Sequence, residues 1–65
     1  SEAAPALVPH LKDPKPSIRG NVAVVLGAIG SSADIAALEP LLQERDADVR
    51  RSAERAIQRI KVRGA

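Results

Sequence analysis

Apolar residues recur along this chain at intervals of three and four, in two long stretches that echo one another. Ile18, Val22, Val25, Leu26 and Ile29 fall on one face of a helix predicted to run from Pro16 to Ile29. Val49, Ala53, Ala56, Ile57 and Ile60 do the same for a helix spanning about Ala47 to Val62. The two differ on their other faces. Ala23, Val24 and Ala28 extend apolar surface nearly all the way round the first, a pattern that predicts burial on several sides. Arg51, Arg55 and Arg59 instead lie opposite the apolar face of the second.

A shorter helical segment precedes each long one. Ala3, Ala4, Leu7, Val8 and Leu11 predict a helix from Glu2 to Leu11, and Ile35, Leu38, Leu41 and Leu42 point inward from a helix spanning roughly Ile35 to Glu44. Pro9 and Pro40 interrupt them. Each removes a backbone donor and crowds the preceding turn, so both segments are expected to be kinked or to begin late. Asp13-Pro14-Lys15-Pro16-Ser17 reads as a turn, with Pro16 suited to the first helical position. Gly27 sits inside the second helix, where it costs about 1 kcal/mol, and close approach of a neighbouring backbone explains it best. Gly30 takes the C′ position that ends that helix. Ser32 or Asp34 is the candidate N-cap of the third helix and Asp46 that of the fourth, with Asp48 favourable near its positive end.

A shift of thirty-one residues places Ala6 on Ala37, Leu7 on Leu38, Pro9 on Pro40, Leu11 on Leu42, Arg19 on Arg50 and Ile29 on Ile60. Ile18 with Val49, Leu26 with Ile57 and Asp13 with Glu44 are conservative matches in the same register. A period of this length with two helices per unit is a solenoid signal. The chain therefore reads as one all-α domain, residues 1–65, made of two antiparallel helical hairpins and four helices. Unit one covers about 3–30 and unit two about 34–62.

Through Pro5-Ala6-Leu7, Leu11-Lys12-Asp13-Pro14-Lys15-Pro16-Ser17-Ile18-Arg19 and Leu26-Gly27-Ala28-Ile29-Gly30 the chain resembles the HEAT-repeat superfamily. The likeness is closest to its short HEAT-like repeats, also called PBS-lyase-type repeats, and covers nearly the whole chain. It implies an α-α superhelix. It also implies a ladder in which an acidic residue of the turn within a repeat and an arginine early in the second helix bond adjacent repeats; the six-residue spacing is met by Asp13 with Arg19 and by Glu44 with Arg50. Unit two departs from the pattern. Gln58-Arg59-Ile60-Lys61 stands where unit one has Gly27-Ala28-Ile29-Gly30, which suits a terminal capping repeat with a charged outer face.

Composition narrows the reading. A chain of 65 residues buries only about 60% of the surface it exposes when unfolded. It has no Cys, Met, Phe, Tyr or Trp, so its core must be aliphatic and unsupported by disulfides. Extra burial is expected from a neighbour: further repeats of a longer parent protein, of which this is a fragment or terminal part, or a second copy. No apolar run approaches the ~20 residues that span a bilayer, and no leader pattern is present. A soluble, cytoplasmic protein is the expectation.

The net charge of +2 is unevenly spread: from Ala47 onward Arg50, Arg51, Arg55, Arg59, Lys61 and Arg63 face only Asp48 and Glu54. Arg51, Arg55, Arg59 and Arg63 form a stripe at spacing four, either a solvated face supported by Arg51–Glu54 and Glu54–Gln58 contacts or a site for phosphates or an acidic partner. Without aromatics there is no base-stacking platform, which weakens the nucleic-acid reading. His10, at the position of Leu41, is expected near the inner face as a packed or rim residue. No cofactor, metal cluster or catalytic grouping accompanies the turn carboxylates Asp13, Glu44, Asp46 and Asp48, so no enzymatic activity is expected. The function expected is a non-catalytic module for protein–protein interaction or scaffolding, with Val24, Ala28 and the Arg51–Arg63 stripe as candidate contacts. Electrostatic binding of nucleic acid is the alternative. An accessory role in attaching bilins, with a phycobiliprotein partner, is implied only by the family's alternative name.

Overall fold

Two prolines in equivalent positions decide how each hairpin begins. In the computed structural model, which describes residues 3–63, the chain starts as α1 (Ala3–Leu7) and tightens into a 3₁₀ turn over Val8–Lys12. Pro9 has no N–H to donate four residues back and its ring crowds the preceding turn, so the backbone changes to three-residue bonding. The Asp13 N–H closes that turn on the His10 carbonyl at 3.1 Å. Unit two repeats the device: α3 (Ile35–Leu38) gives way to a 3₁₀ turn over Glu39–Gln43, closed by the Glu44 N–H on the Leu41 carbonyl at 3.2 Å. The first and third helices expected from the sequence are thus each split at the proline. Glu2 lies outside the described residues.

The long helices are α2 (Pro16–Ile29) and α4 (Ala47–Val62). Pro16 forces Lys15 into extended geometry, and the Lys15 N–H donates to the Asp13 carboxylate at 2.9 Å. Asp46 caps α4, its carboxylate accepting from the N–H of Asp48 at 2.9 Å and of Val49 at 3.2 Å. Asp46→Ala is expected to lower stability by about 1 kcal/mol, the usual loss when an N-cap acceptor is removed. A urea midpoint unchanged by the substitution would show that the cap contributes nothing.

The end of α2 differs from expectation. Gly30 has φ −78° and ψ 172°, an extended geometry in place of the left-handed one common at C′. Space explains the glycine: a Cβ there would lie 2.5 Å from the Leu26 carbonyl oxygen and 2.9 Å from Asp34 Oδ2. The short 3₁₀ turn Ser32–Asp34 that follows is opened by Ser31, not by Ser32. Asp34 stands at the N-cap position of α3, as one of the two expected candidates, but its carboxylate turns back to accept the Ser31 N–H at 2.9 Å and makes no bond to the first turn of α3.

The core lies between α2 and α4 and under the two proline-bearing segments. Leu11, Val22, Ala23 and Leu26 meet Leu38, Leu41, Val49, Ala53, Ala56, Ile57 and Ile60. The apolar face expected of α4 is buried in full. That of α2 is turned. Ala23 is buried, whereas Val25 and Ile29 remain 43% and 37% exposed and Ile18 is half-buried. The cause is the close joint on the glycine side of α2, where a Cβ on Gly27 would fall 2.8 Å from Ala56 Cα and 2.9 Å from Ala56 Cβ. Glycine lets the two backbones meet there, and α4 settles over Gly20, Ala23 and Gly27.

Candidate functional site

The two hairpins are tied by polar contacts at both ends of the α2–α4 joint. Near the start of α2, Arg19 Nη1 donates to the Asp13 carbonyl at 2.6 Å and Nη2 to Glu44 Oε1 at 2.7 Å. Arg19 thereby links its own turn to that of the next unit, while its Nε is buried without a partner. Arg50, one unit on, donates through Nη1 to the carbonyls of Glu44 and Arg45 at 2.7 and 2.9 Å. The six-residue spacing of acid and arginine therefore places each guanidinium on a backbone carbonyl, and the carboxylate contact runs between units.

At the far end Arg63, which still lines the groove beside Arg51, Arg55 and Arg59, also reaches back to α2. Its Nη1 and Nη2 donate to the carbonyls of Gly27 and Gly30, each at 2.6 Å. These are carbonyls that the end of α2 leaves open, and a cation beside them is favoured by the helix dipole. Arg63 is a clamp between helices. No periodicity could have shown this, because the bond depends on where α2 ends in space.

The stripe borders an open groove along α4 with Val24 of α2 at its edge, lined by Arg51, Arg55, Arg59, Val62 and Arg63 together with the acidic Asp48 and Glu54. Arg51 pairs with Asp48 at 3.2 Å, both well exposed, in place of the expected contact with Glu54. Such an exposed pair is worth little. Among the described residues the side chains of Arg55 and Arg59 have no hydrogen-bonded or ionic partner. Val24 and Val62 are 47% and 74% exposed. Val62 was missed as a site residue, although it stands seven places after Arg55 and so two turns along the same side of the helix. Ala28 is exposed but is not among the groove's lining residues.

His10 is exposed and does not lie on an inner face. Leu41, its counterpart in unit two, is buried in the core. Among the described residues no group of three His, Asp or Glu side chains is placed to hold a metal ion, and no helix is long and apolar enough to cross a membrane.

The two hairpins, stacked in a thirty-one-residue register with arginine–carboxylate contact between them, agree with a family match to HEAT repeats over residues 1–58. The chain belongs to the HEAT-repeat family. No curated protein and no solved structure matches it. HEAT repeats generally mediate protein–protein interaction or scaffolding, and the family is typically non-catalytic. In HEAT terms, α2 and α4 are the second helices of their units, and the groove runs along the side they share.

Proposed function

We propose that this HEAT-repeat chain is a non-catalytic interaction module whose α2–α4 groove takes an acidic, partly apolar segment of a protein partner. The observation that carries the reading is the pair Arg55 and Arg59, without partners among the described residues, beside the exposed valines Val24 and Val62. Guanidinium groups attract carboxylates over several ångströms and bond them in a fork, whereas the valines offer area that is stabilised when covered. A phosphate backbone would satisfy the arginines alone. It would leave the valines uncovered, and the chain has no aromatic ring on which a base could stack.

A labelled peptide of alternating glutamate and leucine, titrated by fluorescence anisotropy, tests this against a short single-stranded oligonucleotide. The double variant Arg55→Glu, Arg59→Glu is expected to weaken peptide binding at least about tenfold, since two attractive contacts become repulsive. Val24→Asp should weaken it by a few-fold, and added salt should weaken binding by the parent chain and by Val24→Asp but not by the double variant, where it screens repulsion. Both sites are exposed, so the variants are expected to fold. Oligonucleotide binding that is tighter than peptide binding and indifferent to Val24 would move the assignment to nucleic acid. Peptide binding unaffected by either variant would remove the groove from the function altogether.

A further inference from the structure

The internal register says what each end of this stack is built to meet. In unit two, Val49, Ala56 and Ile60 are buried to 1, 2 and 0% exposure. Val49 and Ala56 lie against the glycines of α2: a Cβ on Gly20 would stand 3.9 Å from Val49 Cγ2, and one on Gly27 would overlap Ala56. Thirty-one residues earlier the same positions are Ile18, Val25 and Ile29, still aliphatic but exposed or half-buried. The polar edge follows the same rule. Glu44, which receives Arg19 from the unit before it, has Asp13 as its counterpart, and the recorded bond to the Asp13 carboxylate comes from Lys15 of the same turn.

The opposite end is different. The positions of Gly20, Ala23 and Gly27 in unit two are held by Arg51, Glu54 and Gln58, all exposed. A hairpin stacked there would bury two charges against a helix face with no small residues at these positions, which is unfavourable unless each charge is paired. The stack is therefore directional, closed beyond unit two and open ahead of unit one.

We infer that the face formed by Ile18, Val25 and Ile29, with Asp13 at its edge, receives a third helical hairpin of the same build. That hairpin's second helix carries small residues at the places of Gly20, Ala23 and Gly27 and an arginine at the place of Arg19, donated to the Asp13 carboxylate. A second copy of this chain does not meet the specification. Its outer end presents Arg51, Glu54 and Gln58, and its own strip of small residues is already covered by α4. Val25 is larger than Ala56 and His10 stands in place of Leu41, so the docked helix sits somewhat farther out and has a polar rim on that side.

A three-unit chain tests the inference: residues 3–34 are placed directly ahead of Ala4, which keeps the thirty-one-residue register. The receiving unit carries Val25→Ala, so that the new joint repeats the contact of Gly27 with Ala56. Stacked repeats gain stability from each interface between neighbours, so the thermal midpoint is expected to rise by roughly 5–15 °C over the two-unit chain with Val25→Ala. Val25→Lys in the receiving unit should abolish the rise while leaving the two-unit chain unchanged, because Val25 is exposed there. No rise in the midpoint, or a rise that survives Val25→Lys, would overturn the inference. So would a two-unit chain that dimerises in sedimentation and is returned to monomer by Val25→Lys, since a second copy would then cover the face.

Discussion

Gly27→Ala is expected to destabilise the domain by about 1–3 kcal/mol, the usual range for overpacking, and Gly27→Leu by more. The sign is not obvious, because alanine in place of glycine inside a helix ordinarily gains about 1 kcal/mol. It is decided by what the added methyl meets. Ala56 Cα at 2.8 Å and Ala56 Cβ at 2.9 Å are rigid atoms of α4, so relief requires the helices to move apart. Separation would loosen the packing of Leu26 and Ile60, both fully buried. A chain of this length has a total stability of only about 3–10 kcal/mol, so Gly27→Leu should leave it largely unfolded. Gly20 supplies the control within the same helix. A Cβ there would meet Ser52 Oγ at an ordinary 3.5 Å, so Gly20→Ala is expected to stabilise by about 0.5–1 kcal/mol. Urea denaturation of the two variants should therefore give opposite signs. Equal signs would mean that the α2–α4 joint is not at Gly27.

Arg19→Met is expected to destabilise by roughly 2 kcal/mol, within the range for losing hydrogen bonds to charged groups. Arg19 and Glu44 retain only 15% and 24% side-chain exposure, so removing the cation leaves a carboxylate in a poorly solvated place. The buried Nε without a partner is a penalty already present in the parent chain, which keeps the figure from being larger. Adding Glu44→Leu to Arg19→Met removes the stranded charge and should restore part of the loss. A double-mutant cycle is the clean measurement, with a coupling of about 1–2 kcal/mol expected for a direct pair. Strict additivity of the two single changes would show that the arginine is held by the Asp13 carbonyl alone.

How well the sequence foretold each helix follows its contrast between polar and apolar sides. In α4, arginines opposite a narrow apolar stripe left one way for the helix to lie, and the stripe of Val49, Ala53, Ala56, Ile57 and Ile60 is buried. In α2 nearly every side is apolar, so side-chain chemistry could not say which face α4 would take. Ala23 went inward and Val25 and Ile29 did not. The deciding signal was in the other unit: Arg51, Glu54 and Gln58 are exposed there, and their counterparts Gly20, Ala23 and Gly27 mark the side of α2 that α4 covers. Pro9 and Pro40 announced an interruption, but three-residue bonding beyond them is a backbone choice that depends on packing. The groove was legible as charge through Arg55 and Arg59, and its apolar part only through Val24. The bonds of Arg63 to α2 were not legible for a tertiary reason, because its partners are backbone carbonyls that no side-chain pattern shows.

The central claim is that binding is carried by the groove, apart from the apolar end face of unit one. Amide chemical shifts during titration with the glutamate–leucine peptide test it directly. The amides of Val24, Arg55, Arg59 and Val62 are expected to move in a salt-sensitive manner while those of Ile18, Val25 and Ile29 stay in place. Movement confined to Ile18, Val25 and Ile29, or no movement at any of these residues, would contradict it.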